Sequence, residues 1–316
     1  MRKTLKALAV VVCLSIFATM ALGSGSSDTG DTKEVVTTES TASVVTTEST
    51  ASSDSSAEST EREDKQEKNE VTIEEQVLFD KDGVIVTAKE YVTDSIWGDG
   101  IKLLIENNTD KTITIGCDAL IVNNYMVSDL FASEIASGKK SNDVLHLSSS
   151  ELEAAGINSV GQIEIYFHVY DSESYDHLFE LEPITIKTSE YNNMDTTPND
   201  SGTELYNSNG IRIVGKAVDE NSFWGKTILL YCENKSGKNV GISVEEMSIN
   251  GFMMNPLFSA TIYDGKMAID DVTIFASDLE ENGIESIDDV ELKFHIYDAD
   301  TYKTIEDSEA ITFSAK

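Results

Sequence analysis

An all-β chain built from two tandem β-sandwiches is predicted by three observations. The sequence repeats itself, each repeat alternates apolar and polar residues with a period of two, and turn signals interrupt that alternation at short intervals. Shifted by 127 positions, the chain matches itself without a gap across residues 78–311, so that Trp97-Gly98 falls on Trp224-Gly225, Glu106-Asn107 on Glu233-Asn234 and His168 on His295. An inserted residue would turn a strand's buried face outward, so two copies that keep one register must fold alike. A side chain kept in both copies serves what they share, which is first of all the fold.

The strands come from the alternation. Ile101, Leu103 and Ile105 alternate with more polar neighbours, as do Ile163, Ile165, Phe167 and Val169, with Val290, Leu292, Phe294 and Ile296 in the second copy. Further stretches begin near Val84, Ile113, Ser141 and Ile184, which gives about seven or eight strands per repeat. Asn250-Gly251 is a strong hairpin signal, and Asn123-Asn124 occupies the same place in the first copy, because these residues tolerate positive φ. One helix per repeat is expected where Ser150 with Glu153, and Ser277 with Glu280, have the spacing of a capping box. Gly156 and Gly283 then close it, with Leu152 or Leu279 turned to the core.

Ahead of the repeats lie two segments of different character. Residues 1–23 read as a signal peptide, with Arg2, Lys3 and Lys6 before an apolar run and small residues at Ala21 and Gly23 for cleavage. Retention as an anchor is the alternative, since Ala7 through Gly23 sits at the short end of the roughly 17–25 residues that span a bilayer. Neither Ser24 nor Cys13 fits the cysteine of a lipid-attachment signal. Residues 24–70 form a Ser/Thr/Glu-rich stalk with little to bury, expected to be disordered. Inside it the nine residues from Val35 recur at once from Val44, a low-complexity pattern open to O-linked sugars. The first sandwich is placed at 71–189, a polar linker at 190–203 and the second sandwich at 204–316.

Charge narrows the partners. The formal net charge is −34, and loss of Arg2, Lys3 and Lys6 with the leader carries it to about −37. Such a field repels phosphate backbones and anionic membrane surfaces, so neither nucleic acid nor strong membrane binding after signal cleavage is expected. Beyond the leader only Cys117 and Cys232 remain; they are not equivalent, and each shares strand parity with core aliphatics of a different repeat. A disulfide between two separate cores exceeds the reach of about 7 Å between bridged Cα atoms, so both are expected as buried, unreactive thiols.

The order of motifs carries a resemblance: Trp-Gly, I-x-L-x-x-E-N, N-[NG]-[YF]-M, Gly-Lys, S-x-L-E-x-x-G-I and F-H-x-Y-D. It resembles the immunoglobulin-like domain, here in tandem, of uncharacterised secreted proteins and lipoproteins of Firmicutes. That domain is similar in fold to the immunoprotective extracellular antigen of mycobacteria. The resemblance covers both repeats and not the stalk. It implies an extracellular or cell-surface protein and no known catalytic residue.

Candidate chemistry is sparse. His168 and His295, each within His-x-Tyr-Asp, lie off the core; a hydrolytic reading makes His168 a base oriented by Asp171, although no nucleophile recurs beside it. The plainer reading is a histidine that covers the sheet and bonds a neighbouring loop. Acids at 171–176 and 298–302 lack the spacing and glycine of a calcium loop, and the four histidines make no zinc site, so no metal or cofactor is expected. Trp97 and Trp224 either plug one end of each core or stack on a sugar or aromatic ligand. The hairpin tips, Tyr125-Met126 and Phe252-Met253-Met254, are the candidates for an exposed apolar patch that marks a protein contact. The sequence therefore predicts a non-enzymatic exported protein for binding, adhesion or envelope interaction, its partner an unidentified protein or glycan of the envelope. The alternatives are a carbohydrate- or peptide-binding protein that uses the repeated aromatic residues and, more remotely, a hydrolase.

Overall fold

The computed structural model describes residues 70–94, 98–128, 130–219 and 225–314. The leader and the stalk up to residue 69, and both tryptophans, lie outside them. The described part is all-β apart from two short helices.

In the first repeat the strands are β1 (Gln76–Lys81), β2 (Val84–Asp94), β3 (Gly98–Asn107), β4 (Ile113–Val122), β5 (Tyr125–Val127), β6 (Ala132–Ile135), β7 (Lys140–His146), β8 (Gln162–Asp171) and β9 (Ile184–Lys187), with helix α1 (Ser149–Ala155) between β7 and β8. Strands β1, β2, β3 and β7 form one sheet in that order, and β5, β4, β8 and β9 the facing one, with β6 also on β4. The alternating rows predicted from sequence meet between them: Ile101, Leu103, Ile105, Ile163, Ile165, Phe167 and Val169 are all buried in one core. Each fully buried aliphatic side chain of that kind contributes about 1.5–3 kcal/mol, so these rows are the main source of the sandwich's stability.

The second repeat rebuilds this plan. Its strands are β10 (Thr203–Ser208), β11 (Ile211–Asp219), β12 (Gly225–Asn234), β13 (Val240–Ile249), β14 (Phe252–Met253), β15 (Ser259–Ile262), β16 (Met267–Phe275), β17 (Asp289–Asp298), β18 (Thr304–Asp307) and β19 (Ile311–Ser314), with helix α2 (Ala276–Glu281) after β16. Sheet β10-β11-β12-β16 faces sheet β14-β13-β17-β18, with β15 on β13 and β19 on β17. Even the bulges recur: the register shifts between Val77 and Phe79 and between Ala88 and Glu90 in the first repeat, and between Glu204 and Tyr206 and between Gly215 and Ala217 in the second. A third bulge has moved, from Cys117/Ala119 on β4 to Glu245/Ser248 on β13.

Within each repeat the named strands pair antiparallel. Among the described residues the one parallel pairing joins the repeats: β16 lies beside β5, Met267 opposite Tyr125 and Ala268 opposite Met126, and merges sheets of both into one of nine strands.

Two local expectations need correction. The capping boxes do not form. Helix α1 starts at Ser149 and α2 at Ala276, which places Ser150 and Ser277 inside the first turn rather than before it, and neither helix has a side-chain cap. Glu151 instead accepts the backbone N–H of Ser128 at 2.7 Å. The closing glycines do act as expected: Gly156 (φ 76°) and Gly283 (φ 65°) are left-handed, and the next residue's N–H returns to Leu152 or Leu279. The second correction concerns Cys117, which is half-buried rather than buried because the bulge beside it breaks the strand's parity. Cys232 is fully buried in the second core, and burial pushes its thiol pKa far up. The two do not form a disulfide.

Candidate functional site

Much of what the two copies share is spent on holding loops. Asn107 and Asn234 are wholly buried polar residues. Asn107 Nδ2 donates to the carbonyls of Lys111 (2.7 Å) and Ile135 (2.8 Å), while its Oδ1 accepts from the N–H (3.0 Å) and hydroxyl (2.7 Å) of Thr109. Asn234 repeats all four with Lys238, Ile262 and Ser236. The Glu-Asn motif is therefore a structural clamp. Asp171 and Asp298 have a similar role: each accepts N–H groups of its own turn and pairs with a lysine, Lys111 at 2.6 Å and Lys238 at 3.1 Å. Those contacts hold both carboxyl groups below the usual carboxylate range.

The histidines follow from this. Asp171 faces Lys111 and does not orient His168, contrary to the hydrolytic reading. His168 Nδ1 instead meets Asp118 at 2.9 Å, the residue pushed out by the β4 bulge, and its ring packs on Tyr170. His295 pairs with Asp307 on β18 and stacks on Tyr297, which stacks in turn on Tyr302. Two carboxylates from different elements serve equivalent histidines, so the shared feature is a histidine–tyrosine surface of the sheet. No cluster of three or more metal-ligating residues forms among the described residues.

The hairpin tips have parted ways. Tyr125 was expected on the surface, and the structure corrects this: it is 3% exposed, packed with Ala155, Val214, Tyr231, Met267 and Ile269 in a small core between the repeats. Strand β16 has covered it. Around that core the joint is polar and specific. The N–H of Met267 donates to the carbonyl of Asn124 (3.1 Å), and Lys266 Nζ reaches Asn124 Oδ1 (3.1 Å) and Glu164 Oε1 (2.6 Å), with both charged side chains only 15% exposed. Tyr166 meets Tyr263 edge to face at 4.8 Å. The segment expected as a linker is a strap: the N–H of Asn199 donates to Tyr125 Oη (2.8 Å), its Nδ2 to the carbonyl of Ala154 (2.9 Å), and Lys216 holds its carbonyl (2.6 Å).

Removing one member of the Lys266–Glu164 pair leaves the other poorly hydrated. Lys266→Met is expected to cost about 1–2 kcal/mol, and the double variant with Glu164→Gln less than the sum of the singles. Urea unfolding of the four proteins measures the coupling, and simple additivity would show that the pair does not bind the repeats.

The equivalent tip in the second repeat is open. Phe252 is 47% and Met253 67% exposed on edge strand β14, with Leu257 exposed in the following loop. The hairpin beneath is nevertheless the same. Asn250 (φ 50°) and Gly251 (φ 84°) repeat the turn of Asn123 (φ 47°) and Asn124 (φ 78°). Asn250 Oδ1 accepts from Asp288 and Asp289 as Asn123 Oδ1 accepts from Gly161 and Gln162, and the two Nδ2 groups donate to Ser286 and Ser159. Alternation could locate both tips. It could not tell which one the chain would bury against itself.

Comparison with known proteins adds little to this. No family model and no curated protein matches the chain. Among solved structures, a Salmonella enterica SafA pilin in complex with the SafB chaperone is similar at 11% identity, covering 68% of this chain and 88% of that one with a TM-score of 0.19. The YadV chaperone aligns at 10% identity over 73% of this chain and 99% of its own (TM-score 0.21). A protein of unknown function from Porphyromonas gingivalis W83 aligns at 8% identity over 68% and 89% (TM-score 0.20). At such TM-scores none of the three carries an argument, and the strand pairing itself defines the class: an all-β protein of two like sandwiches, joined edge to edge. No helix among the described residues is long and apolar enough to cross a membrane.

Proposed function

We propose that this chain is an exported, non-enzymatic binding protein of the cell surface or extracellular space, which engages a protein partner through the open hairpin end of its second sandwich. One observation carries the reading. Two hairpins of the same conformation present aromatic-Met pairs, and the one in the first repeat is covered by an added strand, with Tyr125 buried and Met126 half-buried, while Phe252-Met253 in the second is left in water. Exposing those side chains opposes folding and solubility, so their retention points to a contact made elsewhere. The leader and acidic stalk read from the sequence support an address outside the cell, and the resemblance to secreted immunoglobulin-like domains supports binding over catalysis.

A photo-crosslinker at Met253 of the full chain, incubated with surface proteins of the producing cell, tests this reading. A saturable adduct is expected from Met253, none from the same reagent at Thr304, and about tenfold less adduct when Phe252→Asp is added. An adduct indifferent to Phe252→Asp, or none at all, would remove the proposal.

A further inference from the structure

The joint between the repeats shows what kind of strand the open edge takes. In the first repeat the occupant of the edge is the segment from Lys266 to Ile269, running parallel to β5: a lysine, then apolar residues on alternate positions that reach the tyrosine. Much of the receiving side has a counterpart in the second repeat, although Ala155 of the small core is replaced there by Asn282. Phe252 stands for Tyr125, Met253 for Met126, and the carbonyl of Gly251 for that of Asn124. Glu291 stands for Glu164, at the same register on the neighbouring strand: Glu164 lies opposite Ile121, Glu291 opposite Ser248. The acid is poised differently only in its occupancy. Glu164 is largely covered and holds Lys266, whereas Glu291 is exposed and accepts only the Thr312 hydroxyl at 3.4 Å among the described residues. Lys293, which takes the place of Tyr166, is already held by Glu246.

We propose that the β14 edge is a vacant copy of the joint, and that it binds an extended segment of a partner protein carrying a lysine followed by alternating apolar residues. The segment lies parallel to β14, its lysine on Glu291 and its apolar side chains on Phe252. Strand addition of this kind takes affinity from main-chain hydrogen bonds and specificity from alternate side chains. The chain's own charge favours such a basic partner, since Asp288 and Asp289 lie beside Glu291 on an already acidic protein. A second copy of the chain fits poorly. The edge strand that is the counterpart of β16, β7, presents Lys140 and Asn142 where β16 presents Met267 and Ile269, so the apolar half of the contact is missing. The proposal deepens the binding reading above and rests on it.

The chain's own strand supplies the probe. A synthetic peptide copying residues 263–269 is titrated into the full-length, isotope-labelled protein and followed by NMR. Saturable shifts are expected at Gly251, Phe252 and Glu291. Replacing the peptide's lysine by glutamate, or Glu291 by lysine in the protein, is expected to weaken binding about tenfold, and the two changes together to restore much of it. Gly251→Asn supplies the side chain that Asn124 uses at the joint, in a backbone conformation asparagine accepts and with open space around it; it is expected to tighten binding about threefold. Shifts at Asn124 and Tyr125 instead would mean that the peptide displaces β16, and would overturn the proposal. So would binding indifferent to the lysine, or concentration-dependent self-association abolished by Phe252→Asp. Failure of the peptide alongside a Phe252-dependent crosslink from Met253 would sink the strand chemistry and leave the binding reading standing.

Discussion

Asn107→Asp is expected to destabilise the first sandwich by about 3–5 kcal/mol, a large part of the roughly 5–15 kcal/mol that holds a domain together. The substitution changes one atom pair. Asn107 uses Nδ2 to donate to two carbonyls, those of Lys111 and Ile135, at a site with no access to water. Aspartate offers an oxygen to each carbonyl instead, so two hydrogen bonds become repulsions and a carboxylate is buried. Protonation relieves the charge but restores only one donor. Asn107→Ala, which removes the group without introducing charge, is expected to cost less, about 2–4 kcal/mol, because it still strands the Ile135 carbonyl and the Thr109 N–H, while the Lys111 carbonyl keeps the Thr109 hydroxyl. Since Asn234 makes the same four contacts, Asn234→Asp tests the same cost in the second sandwich. Urea unfolding of the full chain measures both. A cost below about 1 kcal/mol, the range of an exposed ion pair, would show that the clamp is dispensable.

Asp270→Asn is expected to act in the opposite sense and only above mildly acidic pH. Asp270 lies on β16 at the joint; burial is the main reason its carboxyl pKa is pushed up to about 7, with Asp271 beside it and Glu151 on α1 adding repulsion. Its side chain's one hydrogen bond among the described residues is from the N–H of Asp271, at 2.8 Å. Across the sheet Asp270 pairs with Leu230, and the nearby Cys232 thiol stays neutral. The folded value lies above the unfolded one, so the folded state holds the proton more tightly. Below about pH 4 both states are protonated and the group contributes nothing; as pH rises towards 7 the unfolded chain ionises freely while the folded one resists. Stability therefore falls across that window and the loss is complete above it, on the order of 2–4 kcal/mol. Asparagine keeps the acceptor for Asp271 and removes the charge. Thermal unfolding at pH 4 and at pH 8 is the check: equal melting temperatures for the two proteins at pH 4 and a higher one for the variant at pH 8 are expected. A difference that ignores pH would mean that Asp270 ionises freely.

The distribution of what could and could not be foreseen has a physical pattern. Strand alternation, the two hairpins and the closing glycines were legible because each depends on local geometry that a few residues determine. The clamps were half legible: recurrence marked Asn107 and Asn234 as important, but their partners lie up to 28 residues away, where only the folded loops bring them together. The capping boxes were misread because each helix starts two residues earlier than the spacing implies, with Ser148 and Phe275 at the N-cap positions. His168 was assigned to Asp171 on proximity in sequence, whereas the bulge on β4 delivers Asp118 from across the sheet.

Sequence by itself determined that two equal all-β units follow one another, because repetition is a property of the chain that no packing partner alters and side-chain parity holds along each strand except at its bulges. Tertiary structure alone decided which of two nearly identical hairpins would be closed and which left open. That choice turns on Met267 and Ile269 against Lys140 and Asn142, a few side chains on an edge strand whose neighbour is fixed only once both sandwiches have formed.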